Sequence, residues 1–199
     1  MRTIFYAVAF LAMVLLALVG CSDRSVSPVS PTDQSINQPG SLEKNIIREF
    51  SGTAYPIEVT DPGTTKEVDG KTIIKGMRTK IIFNATFTDG GADLLSGEGD
   101  LELNGIVDFA AGTTFWWGKL KLTPAAPEAL GGHWELIWHG RGTLGSAGWT
   151  IPLKESGYGK GGSLNGLHAF FDHIITAPPD ISTWTGSAEG FIKSRCGHH

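Results

Sequence analysis

Between Arg78 and Phe87 the chain reads RTKIIFNATF, and its apolar positions alternate. Thr79, Ile81, Phe83, Ala85 and Phe87 fall on one side, while Lys80, Ile82, Asn84 and Thr86 fall on the other. The same period of two returns in DLELNGIVDF, residues 100–109, where Leu101, Leu103, Val107 and Phe109 oppose Asp100, Glu102, Asn104 and Asp108. It returns again where Trp134, Leu136 and Trp138 oppose His133, Glu135, Ile137 and His139. Successive side chains of a strand point to opposite faces, so the pattern predicts strands with one buried face. No long stretch of helical periodicity competes with it.

Turn chemistry separates these segments. Asp69-Gly70, Asp89-Gly90-Gly91 and Ala111-Gly112 supply the positive φ that hairpin turns need. Residues 123–130 and 177–180 read as longer loops. The predicted strands are 47–59, 71–76, 78–88, 98–109, 113–122, 133–143, 164–176 and 183–193, with 147–155 as a possible ninth. Gly52, Gly105, Gly118, Gly166 and Gly186 fall inside them, as curved barrel strands require. Closure would also remove the exposed edges of an open sheet. The expected fold is therefore all-β: one closed, eight-stranded antiparallel barrel.

The first residues follow another pattern. Arg2 precedes Ile4–Val19, an apolar run without charge or proline, and Leu18-Val19-Gly20-Cys21 closes it. The run is short for a membrane span and fits a cleaved signal peptide. Its junction resembles the bacterial lipobox. That resemblance implies lipidation of the Cys21 thiol, cleavage before Cys21, and a chain held in the membrane by acyl groups. Ser22 follows Cys21, so the outer membrane is the expected destination, on its periplasmic face or at the cell surface. An uncleaved N-terminal anchor is the alternative. Residues 21–44, with Ser25-Val-Ser-Pro28, Ser30-Pro31 and Gln38-Pro39-Gly40, are too poor in apolar groups to offset their ordering entropy. They read as a tether, and residues 45–199 as the barrel domain.

Charge narrows the partners. Loss of residues 1–20 removes one of 16 Lys and Arg and none of the 20 acids, leaving a net charge of −5. Cationic residues are dispersed rather than clustered, which argues against nucleic acid. Cys196 has no second cysteine in the chain once Cys21 is lipidated. From Trp116-Trp117-Gly118 through Gly132-His-Trp134 to Gly166-Leu167, the chain resembles calycin and allene-oxide-cyclase-like barrels. The resemblance implies a barrel with an apolar cavity and transfers no catalytic residue.

Candidate chemistry is sparse. Gly140–Gly145 and Gly157–Gly162 match G-x-G-x-x-G, but neither sequence continues as the helix a dinucleotide site needs. His133, Glu135 and His139 share a face, yet the two histidines would sit about 20 Å apart on a straight strand. No metal or other cofactor is expected. No nucleophile or zinc-protease motif occurs. Asn84-Ala-Thr86 matches a glycosylation sequon, and Cys196-Gly-His198-His199 a soft-metal set at a terminus. In LHAFFDHII, residues 167–175, Asp172 and His173 point to opposite faces, and His173 is the polar group on the face of Ala169, Phe171 and Ile175. A histidine there is either a satisfied core residue or a ligand anchor or general base.

Six tryptophans complete the picture, at 116, 117, 134, 138, 149 and 184. Trp116 and Trp117 are adjacent, so one points in and the other out. The expected cavity lining is Trp134, Trp138, Phe115 or Trp116, and His173. Three functions remain open at this point: a lipoprotein binding a small apolar or amphipathic molecule; a cyclase- or isomerase-type enzyme using His173 with a carboxylate; and a structural or adhesive lipoprotein with a filled barrel. An interior volume near 300 Å³ divides the third from the others.

Overall fold

The computed structural model describes residues 47–126 and 130–194. Nine strands occur among them: β1 (Ile47–Asp61), β2 (Thr64–Val68), β3 (Lys71–Phe87), β4 (Gly97–Asp108), β5 (Thr113–Pro124), β6 (His133–Gly145), β7 (Gly148–Lys160), β8 (Leu167–Ala177) and β9 (Thr185–Ser194). Neighbours pair antiparallel in the order β1-β9-β8-β7-β6-β5-β4-β3, and β1 pairs with β3 to close the ring. The eight-stranded barrel expected from the alternation is present, with β2 added outside it on β3. Cys21, Cys196, the leader and the tether lie outside the described residues.

The alternation sets the two faces. Ile81, Phe83, Leu101, Leu103, Leu136 and Trp138 are buried, whereas Glu135, Lys154 and Asp172 of the opposite parity are exposed. Charged groups on the outside pair across strands, as Lys154 does with Asp172 at 2.6 Å.

Four predicted boundaries change. Residues 71–76 and 78–88 form one strand, because the register merely slips between Ile74 and Met77. Gly76, at φ +68°, makes that bulge, and its N–H donates to Asn104 Oδ1 at 3.0 Å. The Asp69-Gly70 turn pairs Lys71–Lys75 with β2, whose five residues are all exposed and so carry no alternating signal. β8 starts at Leu167 rather than 164, because Gly162–Leu164 is a 3-10 turn and Gly166 stands at φ +84°. Gly166 is thus a turn glycine, while Gly52, Gly105, Gly118 and Gly186 lie within strands. The 147–155 segment is a full strand that runs on to Lys160.

The two ends of the barrel differ. At the end holding the β3–β4 connection, Leu94, Leu95, Leu122, Leu164 and Trp134 are almost wholly buried and plug the interior. Trp134 Nε1–H donates to Leu94 O at 2.8 Å. Arg48 braces the same connection: its guanidinium pairs with Asp89 at 2.6 and 2.9 Å and donates to Ala92 O at 3.0 Å. Above this plug Phe50, Phe83, Phe87 and Phe171 form an aromatic layer with centroids 5.5–6.4 Å apart. Beyond that layer the barrel is open.

Candidate functional site

The open half holds a cavity of about 350 Å³. Its far wall is apolar, built from Ile74, Met77 and Ile81 of β3 and Leu101, Leu103 and Val107 of β4. Its mouth is formed by Val59, Phe109 and the β8–β9 connection, residues 180–184. Trp149, itself buried, fixes that connection by donating its Nε1–H to Pro179 O at 3.0 Å. Asp180 Oδ1 accepts from the Ser182 N–H at 3.1 Å and the Ser182 hydroxyl at 2.8 Å, and these bonds lower its pKa.

Two titratable residues share one wall. The inner face of β8 brings His173 to the cavity, and the inner face of β7 brings Glu155. His173 Nδ1 and Glu155 Oε1 are 2.8 Å apart, and both side chains are 5% exposed. The pair leaves His173 Nε2 and Glu155 Oε2 without a protein partner. The Nε1–H groups of Trp116 and Trp138 are likewise buried without an acceptor. Register shows why these four belong together. Trp138 is the cross-strand neighbour of Glu155, and His173 that of Leu153, one pleat along. Trp116 opposes Gly140, which itself opposes Leu153. The four groups thus occupy two adjacent rungs of the β5–β8 wall. His173 stands four residues inside Ala177, about 13 Å from the strand end. Its ring meets Phe83 of the aromatic floor edge-on, at 6.4 Å.

Glycines give these rings their room. Cβ atoms on Gly105, Gly118 and Gly186 would overlap Trp116, Trp138 and His173 respectively. Each large inward side chain therefore lies flat across a neighbouring strand instead of crossing the barrel, and the centre stays open.

The expected site residues divide accordingly. Trp116, Trp138 and His173 line the cavity. Trp134 does not, since it belongs to the plug. Phe115 is also displaced from the expected site: it lies on the outer face, stacked on Trp117 at 5.2 Å with Arg141 over it. Adjacent residues take opposite faces, so placing Trp116 inside puts both neighbours outside. His139 is exposed, and His133 sits 3.5 Å from Glu135 on the outer surface. Among the described residues no group of three or more His, Cys, Asp or Glu is placed to hold a metal ion.

Glu155 is the residue that sequence reasoning missed. It shares parity with Trp149, Ile151 and Leu153, so an alternating reading of residues 148–157 puts it on the buried face. Compared with protein-family models, curated proteins and solved structures, the chain has no match.

Proposed function

We propose that this protein is a lipoprotein, anchored in the outer membrane through Cys21, whose barrel binds a small apolar or amphipathic molecule. The observation that carries the binding reading is a mostly apolar cavity of about 350 Å³ whose lining residues include Trp116, Trp138, Glu155 and His173, each with a buried polar atom that has no protein partner. Each unmatched group costs about 1–3 kcal/mol, a large expense against a typical stability of about 5–15 kcal/mol. The cavity volume sits at the lower end of ligand pockets, above the value that divides a filled barrel from a binding one. The anchor rests on the lipobox-like Leu18-Val19-Gly20-Cys21.

Titration with N-phenyl-1-naphthylamine, an uncharged fluorescent probe, tests the binding reading. A saturable, one-to-one rise in emission is expected, and Met77→Trp, which fills the cavity from β3, should remove it. Non-saturable or absent binding would overturn the reading. Mass spectrometry of the membrane-bound protein tests the anchor: a chain starting at an acylated Cys21 is expected, and an intact Met1 contradicts it.

The Glu155–His173 pair favours a second reading, an isomerase- or cyclase-type enzyme. A carboxyl group on Nδ1 orients the imidazole of this cavity-lining histidine and leaves Nε2 without a protein partner, the arrangement of a general acid or base. Exchange of solvent deuterium into a bound carbonyl compound, lost in His173→Gln, would support it. Binding without exchange leaves the first reading standing alone.

A further inference from the structure

The barrel is open at one end, and that decides how an amphipathic occupant lies in it. The plug around Trp134 closes the other end. Taking an unpaired charge into the apolar interior costs far more than leaving it in water. The apolar part of the occupant therefore goes inward, and a charged end stays at the mouth. Charge at the mouth then selects the sign of that end. Among the described residues lining the cavity none is Lys or Arg, and the titratable ones are Glu155, His173 and Asp180. Glu155 and His173 are buried against each other at 2.8 Å. Asp180 is exposed at the mouth and pairs with no cation among the described residues. Its place is fixed by its own loop. Trp149 Nε1–H donates to Pro179 O at 3.0 Å, and the Ile181 N–H donates to Pro178 O at 3.0 Å. The N–H and hydroxyl of Ser182 both donate to Asp180 Oδ1, which favours the carboxylate over the acid.

From this arrangement we infer that the cavity takes a cationic amphiphile, an amine whose apolar part enters the barrel and whose ammonium stays at the mouth by Asp180. The inference rests on the proposed binding function and adds the charge of the ligand's polar end. A carboxylate on the same chain meets like charge, with no Lys or Arg in the lining to offset it. An alcohol meets neither attraction nor repulsion. A single uncompensated sign at the mouth of a low-dielectric cleft also raises the local concentration of counter-ions and speeds their association. Asp180 stands in water, so the attraction is that of an exposed ion pair, up to about fivefold in affinity.

The experiment compares one carbon chain with three ends at neutral pH: octylamine, 1-octanol and octanoate. Each competes with N-phenyl-1-naphthylamine on the purified full chain. At low salt octylamine should bind about tenfold tighter than octanoate, because one is attracted and the other repelled. In roughly 1 M NaCl, where the Debye length is about 3 Å, that ratio should shrink. Asp180→Asn is the decisive variant. The Asn side-chain oxygen still accepts from Ser182, so the loop keeps its bonds and only the charge goes. In this variant octylamine should weaken and octanoate should tighten, each about two- to fivefold, while 1-octanol stays as in the parent. Asp180→Ala removes the charge and the loop bonds together. A parent that binds octanoate as tightly as octylamine at low salt overturns the inference. So does an Asp180→Asn variant that keeps the parent's ratio while Asp180→Ala loses binding of all three, since Asp180 is then only a brace for the loop. If the probe binds and the three compounds displace it equally in parent and variant, the charge assignment fails and the cavity stands. If the probe itself does not bind, the binding function fails and the inference with it.

Discussion

At the scale of single residues, the Glu155–His173 pair carries most of what is unusual. Parity alone places His173 on the inner face, so half of the pair is legible in LHAFFDHII. The other half is not, because a carboxylate at an inward position contradicts the rule by which inward positions are found. Only the apolar Trp149, Ile151 and Leu153 around it reveal the parity. Trp134 shows a related limit. Alternation correctly buries it, but plug and cavity wall share one parity, and only the folded chain separates them. The pair also allows a test of whether it holds the barrel together. Removing one member strands the other without its partner, so His173→Phe should destabilise by about 3–5 kcal/mol. Replacing both, as Glu155→Leu with His173→Phe, removes two buried polar groups together. That variant should be as stable as the parent or about 1–4 kcal/mol more stable. Urea unfolding of the parent, both single variants and the double variant decides. Additive losses in the double variant would make the pair architectural.

At the scale of elements, strand and turn signals were legible where alternation and Asp-Gly or Gly-Gly pairs coincide. They failed where a strand has no buried face, as in β2, and where a bulge looks like a break, as at Gly76. Glycines need two explanations that sequence does not separate. Gly70 sits at φ +75° with open space around it, so its role is conformational. Gly105 has no such backbone demand; its bare Cα lies beneath the Trp116 ring. Gly70→Asn should therefore cost little, since Asn tolerates the left-handed region. Gly105→Ala should cost about 1–3 kcal/mol and shift the Trp116 emission, because its Cβ displaces the ring. Equal effects of the two substitutions on thermal stability would contradict the distinction. The plug offers a pH test. Arg48 holds the Asp89 carboxyl down to about 2, against an ordinary value of 3.8, first through its side-chain hydrogen bonds, with help from the Gly91 N–H. The folded-state value is the lower one. The clamp is therefore fully present above pH 3.8 and is lost as pH falls through about 2. Carbon-detected NMR of the Asp89 carboxyl should show this midpoint, and Arg48→Met should return it toward 3.8. An unchanged midpoint in Arg48→Met would refute the cause.

At the scale of the whole molecule, closure was legible in the strand pattern, whereas an open interior was implied only by the calycin-like resemblance. Closure follows from the number of strands, the glycines within them and the gain from removing edges. Whether the interior fills depends on which inward side chains meet, and that is a sum over registers that no single segment displays. Here the sum differs by end: Leu94, Leu95, Leu122, Leu164 and Trp134 fill one, while rings laid over glycines leave the other open. Ile47, the first described residue of β1, lies at the plugged end, opposite the mouth. An occupant reaching the cavity touches β3, β4, β5, β7 and β8 at once, so it couples to unfolding of the barrel as one unit. Mass action then sets the size of the effect. Ligand at about one hundred times its Kd should stabilise by about 2.7 kcal/mol. In a protein of this length each kcal/mol raises Tm by about 2–4 °C, so the matching ligand should raise it by roughly 5–10 °C. Calorimetric scans should show that rise as a shift of a single transition. Met77→Trp, with the cavity filled, should show none. A rise of equal size in Met77→Trp would place the ligand outside the barrel.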